Sequence, residues 1–540
     1  MNMGKTLFLT LLLLSSIFTI AASRKRSSSS SHKKSNLDWW CNRTPHPAPC
    51  KFYMRQSHYN HYHRLKHRTE FRSILLNLAL DQALLMQKHA HTLQNSNTTM
   101  KQQTVFGDCL KLYDNTVFHL NRTIQGLKYH QTRNCSDFDA QTWLSTALTN
   151  IVTCKKWANA MKIPGLTDSS CPSNNVSEII SNTLAVNSVF LKYQKNHLTE
   201  DYTEAAFPSW FSATDRRLLQ SSGVKANLVV ARDGSGHFRT VQGAIDAAAR
   251  RRSKTRFVIH VKKGVYRENI EVDKTNDNIM LVGDGMRNTF IASGRSVQQG
   301  YTTYSSATAG IDGPHFIARD ITFMNTAGPL KGQAVALRSA SDLSVFYRCS
   351  IIGYQDTLMA HAQRQFYRGC YIYGTVDFIF GNAAVVFQNS VILVRRPNNG
   401  QANMITAQGR GDPFQNTGIS FHNCQIRAAP DLKPVVNKYN TFLGRPWQQY
   451  SRVVVMKTYI DSLVSPMGWS PWGNTNFAQS TLYYGEYKNF GPGSSTKNRV
   501  RWPGYHVLTS PAQATPFTVN SLLAGGTWLP ATGVPFTAGL

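Results

Sequence analysis

The chain has 540 residues, 41% of them hydrophobic, and 59 Lys and Arg against 29 Asp and Glu give it a formal net charge of +30 at pH 7. This length accommodates two domains with separate cores, and the charge favours a polyanionic partner. Nucleic acid is a weak candidate, because the chain has no nucleic-acid-binding motif and begins with an export signal.

The first 23 residues are typical of a secretory signal peptide. Lys5 precedes an apolar run from Leu7 to Ala22, and small residues end it. An uncleaved signal anchor is the alternative reading, although the run is shorter than the roughly 20 residues that a membrane span needs. No other stretch of the sequence is long and apolar enough to span. Residues 24–37 are a basic, Ser-rich tether, which we expect to be disordered because it cannot bury a core.

Residues 38–200 are predicted to be helical. Apolar residues recur at helical intervals from Ser73 to Met86 and from Thr142 to Asn150, and few Gly or Pro interrupt the region. We expect short loops between antiparallel helices. Nine cysteines in an exported chain indicate disulfide bonds. The pairs that we expect in this region are Cys41 with Cys50 and Cys109 with Cys154.

Three cysteines are harder to assign. Cys135 and Cys171 either pair with each other or stay free, and the odd total leaves at least one thiol, Cys424 in our interpretation, without an intramolecular partner.

Five N-x-Ser/Thr sequons lie in the N-terminal half, and none follows them. We expect a glycosylated N-terminal region beside an unglycosylated C-terminal one, with glycans on Asn42, Asn97, Asn121, Asn134 and Asn175. Residues 201–222 form a linker that contains the basic pair Arg216 and Arg217, followed by Leu218 and Leu219.

In the C-terminal region, residues 223–540, three polar segments begin at equal intervals, at Gln333, Gln355 and Asp377. Neighbouring strands of a sheet lie about 4.7–4.9 Å apart. If this interval is the length of one coil of a parallel sheet, these three residues stack in a column. Such a column would form the wall of an active site.

Two further spacings are equal, and each is one residue shorter than the interval between Gln333 and Gln355. They run from Asp356 to Asp377 and from Cys349 to Cys370. They place a second carboxylate beside Asp377 and a further disulfide, Cys349 with Cys370, on adjacent coils. Arg445 follows Asp377 at a distance along the chain that is close to three further coils.

The chemistry of this column excludes several hydrolase classes. No Gly-x-Ser-x-Gly elbow and no Cys/His metal spacing occurs near it, so serine and metal hydrolysis are weak candidates, and we expect neither metal nor cofactor. Two adjacent carboxylates favour protonation of one while the other stays ionised. A guanidinium near Asp377 would keep that residue charged and able to attack, leaving Asp356 to donate a proton.

The signature segments resemble those of plant pectin methylesterases. They are Gly353-Tyr-Gln-Asp-Thr-Leu358, Gly374-Thr-Val-Asp-Phe-Ile-Phe-Gly-Asn382 and Leu443-Gly-Arg-Pro-Trp447, followed by Gly468-Trp-Ser-Pro-Trp472 and Tyr483-Tyr-Gly-Glu-Tyr487. The resemblance runs from Ala226 to the C-terminus and implies a right-handed parallel β-helix. The helical region, with its cysteine quartet and the Thr142 to Asn150 block, is similar to the pectin methylesterase inhibitor domain, a four-helix bundle.

The resemblance implies an aspartyl esterase mechanism. Asp377 is the expected nucleophile towards the C6 methyl ester of galacturonate, Asp356 the proton donor to methanol, and Gln355, with Gln333, the oxyanion stabiliser. Arg445 orients Asp377, and the expected substrate-binding residues are Thr303, Gln333, Arg445 and Trp447.

The resemblance also implies a place and partners. We expect secretion to the plant cell wall, cleavage of Arg216-Arg-Leu-Leu219 by a subtilisin-like protease, pectin as the polyanion, proteinaceous inhibitors as further partners, no nucleic acid, and a monomeric mature enzyme that the bundle inhibits until cleavage. A pectin lyase or polygalacturonase, and a non-enzymatic inhibitor or wall-binding protein, are the alternatives. Met359 and Ala309 depart from the family pattern, and we expect both at the sugar subsites.

Overall fold

The structure of the protein, a computed structural model, describes residues 36–56, 65–93, 99–128, 135–163, 165–166, 173–197, 225–251, 253 and 255–540. The predicted signal peptide, nearly all of the tether, the linker with the Arg216 to Leu219 motif, and the sequons at Asn97 and Asn134 lie outside these residues. Among the described residues, no helix combines the length and the apolar character needed to cross a membrane.

Six helices form the N-terminal part of the described chain: α1 (Asn36–Cys41), α2 (Pro47–Met54), α3 (Arg68–Leu93), α4 (Met100–Leu127), α5 (Asp137–Ala160) and α6 (Ser173–His197). Capping boxes start two of them, because Thr99 accepts the N–H of Gln102 and Ser136 accepts the N–H of Asp139. Helix α3 packs against α4 and α6, and α5 packs against the same two. The four long helices therefore form the predicted bundle.

Two disulfides staple this bundle as predicted. Cys41–Cys50 joins α1 to α2, and Cys109–Cys154 joins α4 to α5. Cys135 is buried, and Cys171 lies outside the described residues, so the fate of these two stays a prediction. The sequon residues Asn42 and Asn121 are exposed and Asn175 is half-buried.

The C-terminal part winds through three sheets in which all neighbouring strands are parallel. Sheet 1 contains, in spatial order, β1 (Leu228–Val230), β2 (Phe257–Val261), β5 (Ile279–Gly283), β8 (Ile317–Arg319), β11 (Ser344–Tyr347), β14 (Arg364–Arg368), β17 (Ala384–Gln388), β20 (Gly418–His422), β23 (Arg452–Met456), β25 (Tyr483–Tyr487) and β26 (Tyr505–Val507).

Sheet 2 contains β3 (Gly264–Arg267), β6 (Thr289–Ser293), β9 (Thr322–Asn325), β12 (Ser350–Ile352), β15 (Tyr371–Gly374), β18 (Val391–Val394), β21 (Gln425–Ala428) and β24 (Tyr459–Ile460). Sheet 3 contains β4 (Ile270–Val272), β7 (Ala309–Ile311), β10 (Leu337–Ser339), β13 (Leu358–Ala360), β16 (Ile379–Gly381), β19 (Asn403–Gln408) and β22 (Thr441–Gly444). From β2 to β24, consecutive strands visit the three sheets in turn, so each complete coil contributes one strand to each sheet, while β1, β25 and β26 extend sheet 1 alone. This is the predicted parallel β-helix.

Short helices close the coil. Helix α7 (Val241–Ala249) packs on β1, β2 and β4 at one end. After β26 come α8 (Pro511–Ala514), α9 (Val519–Leu523) and α10 (Leu529–Thr532), of which α9 packs on β17.

Stacked rings fill the interior of the coil. Phe346, Tyr367, Phe387 and Phe421 come from successive strands of sheet 1, and their neighbouring ring centroids lie 4.6, 4.8 and 5.1 Å apart. The ladder forms because parallel register brings equivalent positions of successive coils together. The same register fixes the neighbours of every side chain on the outer faces.

The predicted disulfide between Cys349 and Cys370 is not formed, and that prediction is wrong for this structure. Both residues are buried thiols. The Cys370 Sγ donates to the Phe346 carbonyl at 3.2 Å, and the Cys349 Sγ lies 3.5 Å from the Tyr347 carbonyl. The spacing of the two cysteines did identify neighbours on adjacent coils, which interact as thiols with each other and with backbone carbonyls instead of forming an S–S bond. Cys424 is also an unbonded, buried thiol.

Candidate active site

Asp356 and Asp377 occupy the same position on two adjacent coils. Each stands two residues before a strand of sheet 3, and those strands pair Leu358 with Ile379. Both aspartates have a left-handed backbone, with φ of 60° and 50°. This conformation costs a non-glycine residue about 1–2 kcal/mol and recurs at functional sites. The spacing of the two aspartates in the sequence therefore brings their carboxylates together, as predicted.

The predicted column of Gln333, Gln355 and Asp377 is wrong. The N–H of Ala334 donates to the Gln355 carbonyl at 3.2 Å, so Gln333 and Gln355 are neighbours on adjacent coils, as predicted. The N–H of Asp356, however, donates to the Val376 carbonyl at 3.0 Å, so the coil from Gln355 to its next neighbour is one residue shorter. Asp377 consequently faces Asp356. Gln333 and Gln355 are half-buried on the two coils that precede it.

Arg445 holds Asp377 through a bidentate pair. It follows β22, and its Nε and Nη2 donate to the two carboxylate oxygens at 2.8 and 2.7 Å. Its own N–H donates to the Thr406 carbonyl at 3.0 Å, which fixes where the side chain departs. Such a fork is the geometry in which a guanidinium binds a carboxylate most strongly.

The two carboxyl groups differ in their surroundings. Burial and the charge of Asp377 raise the pKa of Asp356 well above its usual range. Burial also raises the pKa of Asp377, but the hydrogen bonds and charge of Arg445 act against that rise. The first proton taken up by the pair therefore goes to Asp356, and Asp377 stays the carboxylate. One group can attack while its neighbour donates a proton.

Trp447 lies two residues after Arg445, and Thr303 lies in a loop of an earlier coil. The half-buried Trp447 ring packs edge-on against Phe380, with centroids 5.9 Å apart. A side chain at Gly409 would collide with it, since a Cβ there would lie 2.6 Å from the Trp447 ring. Thr303 is half-buried in the turn before β7, and its carbonyl accepts the Ser306 hydroxyl at 2.8 Å.

The two departures from the family pattern have different positions. Met359 points out of sheet 3 in register with Phe380 and is fully buried beneath the bundle. Ala309 packs inside the coil core, so the expectation that it borders a sugar subsite is wrong.

The bundle covers this site, and sequence reasoning, which expected the bundle to inhibit the enzyme, did not identify the residues that do so. Lys156 of α5 lies over the Trp447 ring at 4.1 Å and 5.7 Å from the Trp472 ring. Burial lowers the pKa of Lys156 to about 8, while the charges of Asp356 and Asp377 act in the opposite direction. No feature of the sequence distinguishes Lys156 from its neighbour Lys155, because the contact exists only once two domains are docked.

Polar contacts seal the rest of the interface between the bundle and sheet 3. Beside the active site, Asn382 donates to the Thr149 hydroxyl at 2.8 Å, and Gln415 donates to the Ser145 carbonyl at 2.9 Å. Farther along the coil, ionic and indole contacts dominate: Lys111 with Asp312 at 2.9 Å, Arg364 with Asp139 at 2.7 Å, and Trp143 with Asp342 at 3.0 Å. A cavity of about 230 Å³ remains between Lys156, Trp447 and the facing helices.

Comparison with known proteins identifies this arrangement. Residues 227–526 match the family described as pectinesterase. The chain belongs to the pectinesterase family. Residues 35–186 match the family described as plant invertase/pectin methylesterase inhibitor, so the bundle is an inhibitor-type domain joined to a pectinesterase domain.

Relatives with both parts are common in plants. The chain is 58% identical to probable pectinesterase/pectinesterase inhibitor 33 of Arabidopsis thaliana, over 94% of this chain and 86% of that protein. It is 52% identical to pectinesterase 2 of Citrus sinensis, over 93% and 94% of the two chains.

Solved pectin methylesterase structures match the β-helix alone. The carrot protein is 56% identical with a TM-score of 0.58, and the match covers 59% of this chain and 100% of that one. The protein from Aspergillus niger is 29% identical with a TM-score of 0.50, over 57% and 97%. The carrot match supports independent folding of the pectinesterase domain.

The unequal pair of carboxylates is open to a direct test. Because the charge of Asp377 helps to raise the pKa of Asp356, Asp377→Asn should lower that pKa, although burial should keep it above the usual range. Titration of carbon-13-labelled aspartate by NMR measures the shift, with exposed Asp233→Asn as the control. An unchanged Asp356 pKa in Asp377→Asn would contradict electrostatic coupling between the two residues.

Proposed function

We propose that the chain is an aspartyl esterase that removes methyl groups from methyl-esterified homogalacturonan, the pectin of the plant cell wall, giving pectate and methanol. The observation that carries this proposal is a pair of unequal carboxyl groups. Arg445 binds both oxygens of the Asp377 carboxylate, and the neighbouring Asp356 has a raised pKa. Membership of the pectinesterase family supports the substrate class.

Asp377 starts the reaction by attacking the C6 ester carbonyl. The carbonyl oxygen gains negative charge, which the amides of Gln355 and Gln333 stabilise. As the C–O bond to the methoxy group breaks, Asp356 gives its proton to the departing oxygen, and methanol leaves. An acyl anhydride with Asp377 remains. Asp356, now a carboxylate, takes a proton from a water that attacks the anhydride and frees Asp377.

The basic surface, Trp447 and Thr303 complete substrate binding in this proposal. A positively charged chain attracts the galacturonate polyanion, Trp447 offers a ring face to a sugar, and Thr303 borders the groove. The protein acts in the cell wall as a monomer after export, with pectin and proteinaceous inhibitors as its partners. Polygalacturonase or lyase activity would shorten the polymer, which esterase activity does not do.

The esterase proposal predicts a graded loss among three variants of the fragment 220–540. Asp377→Asn should abolish methanol release because the nucleophile is gone, and Asp356→Asn should lower kcat severely with little effect on KM. Gln355→Ala should lower kcat by about 10²–10³, as removal of an oxyanion donor does. Methanol release and chain length are measured together on highly methylated pectin. Near-normal turnover by folded Asp377→Asn, or shortening of the chain, would contradict the proposal.

We further propose that the bundle keeps the enzyme latent until the linker is cut after Arg216-Arg-Leu-Leu219. In support, Lys156 lies over the ring proposed to bind sugar, the charges of both carboxylates act on its pKa, and helices of the bundle line the cavity of about 230 Å³ beside Trp447. A subtilisin-like protease would release the active β-helix domain, and the inhibitor-type bundle would depart with its glycans.

Latency predicts that Arg216→Ser with Arg217→Ser yields a full-length chain with little methanol release. Adding Lys156→Glu should restore part of the activity, because a carboxylate near Asp356 and Asp377 repels the docked bundle. Lys88→Glu on the exposed face of α3 is the matched control. Full activity of the uncut chain would refute latency, and a mature protein of unchanged N-terminus from the double variant would refute the cleavage site.

Docking should depend on pH through Asp108 of α4. Burial raises its pKa to about 6, with the Thr302 hydrogen bond and the charges of Arg338 and Lys111 acting against the rise. Because this pKa is raised, protonated Asp108 stabilises the docked state fully at pH values below its free pKa, which is near 4. That stabilisation is lost as the pH rises through 6, and its total is on the order of 3 kcal/mol. The interface histidines His119 and His361 act in the opposite direction, because burial lowers the pKa of each to about 3. Lys156 titrates near pH 8, above this range.

The measurement is gel filtration of the full chain after proteolytic nicking of the linker. The unaltered chain is compared with Asp108→Asn, which isolates Asp108 from the histidines. The two proteins should dock equally at pH 4.5, where Asp108 is protonated, and Asp108→Asn should stay docked more firmly at pH 7.5. Equal retention of the two proteins at pH 7.5 would exclude Asp108 as a determinant of docking.

A further inference from the structure

The segment Gly468-Trp-Ser-Pro-Trp472 has no role in the mechanism above. Its first tryptophan is an anchor, since Trp469 is fully buried and its ring stacks on Tyr484 with centroids 4.2 Å apart. The Trp469 Nε1 donates to Glu486 at 3.3 Å, and Arg499 donates to the same carboxylate at 2.8 Å. A buried ring with a satisfied indole N–H fixes the segment in one position.

The anchored segment runs beside the strand that delivers Arg445. The N–H of Leu443 donates to the Gly468 carbonyl at 2.7 Å, and the N–H of Ser470 donates to the Gly444 carbonyl at 3.0 Å. These bonds pair Trp469 with Gly444 in parallel. Arg445 comes one residue after Gly444, and Trp472 comes three residues after Trp469. The side chains of Arg445 and Trp472 therefore extend from two neighbouring, hydrogen-bonded segments.

At the end of this pairing, the Trp472 ring meets the guanidinium. The Arg445 Cζ lies 4.6 Å from the Trp472 ring centroid, within the range of a cation–π contact. The same guanidinium directs Nε and Nη2 at the carboxylate of Asp377. The Arg445 side chain is 24% exposed, so the Trp472 ring gives this guanidinium a second contact in addition to the Asp377 carboxylate.

We propose that Trp472 is a positioning residue, which holds the Arg445 guanidinium in the orientation that forks Asp377. The two tryptophans of the site then have separate tasks. Trp447 packs edge-on against Phe380 and offers a face to substrate, whereas Trp472 acts on the nucleophile through Arg445. This inference rests on the proposed role of Asp377 as nucleophile.

The test compares Trp472→Leu, Trp472→Phe and Trp447→Leu in the mature enzyme released by cleavage of the linker. Trp472→Leu should lower kcat about tenfold, the size of one well-placed cation–π contact, with little change in KM. Because a misplaced Arg445 opposes protonation of Asp377 less effectively, the acidic limb of the kcat profile should move to higher pH. Trp472→Phe keeps a ring and should restore most of both properties.

Trp447→Leu is the contrasting control and should raise KM without moving the acidic limb. If Trp472→Leu instead raises KM alone, or changes nothing, the positioning role is overturned. A readout that needs no turnover is the pKa of Asp377 from carbon-13 NMR, which Trp472→Leu should raise. An unchanged value there overturns the inference even if esterase activity is lacking, so its failure is distinguishable from failure of the proposed function. If Trp472→Leu does not fold, Trp472→Met takes its place, because it also removes the ring and keeps a long apolar side chain.

Discussion

The site depends on two carboxylates that parallel register forces together. At a strand spacing of about 4.8 Å and an effective dielectric constant near 20, two like charges repel by roughly 3–4 kcal/mol. Asp356 and Asp377 cannot both stay ionised in this setting without help. The charge of Arg445 acts on both carboxyl groups, but its hydrogen bonds go to Asp377. The asymmetry between acid and nucleophile thus follows from the length of one coil and the orientation of a single guanidinium.

The inhibitor-type bundle uses the features that would serve the substrate. Negative charge at the pair of carboxylates attracts Lys156, and the Trp447 ring that would face a sugar receives its ammonium group. Away from the centre, docking relies on charged side chains of the β-helix, such as Asp312 and Arg364, that have partners of opposite charge on the bundle. A surface that binds a carbohydrate is polar and partly aromatic, so a partner must match that character to displace the sugar.

Sequence reasoning predicted the elements whose signals are local or periodic. Helical intervals identified the long helices. The resemblance of the signature segments to pectin methylesterases implied the β-helix, and the equal intervals between polar segments agreed with it. The column of Gln333, Gln355 and Asp377 failed because the coil from Gln355 to the next rung is one residue shorter than the coil before it. A shift of one residue is invisible in a spacing yet changes which side chain faces which. The contact of Lys156 with the active site could not be predicted for another reason. It arises only when two domains dock, and the sequence patterns of each domain are read separately.

Docking of the bundle also affects the chemistry that it covers. Burial is the largest cause of the raised pKa of Asp356, whereas the charge of Lys156 on α5 acts against that rise. Under the proposed processing, removal of the bundle would change two opposing contributions at once. Water returning to the groove would lower the cost of ionising Asp356, and loss of the Lys156 charge would raise it. An acid that must first give its proton to methanol and then take one from water needs a pKa that is raised but not extreme, because both steps use the same group. In the released domain, that balance would be set by the charged residues that stay beside Asp356, namely Asp377 and Arg445.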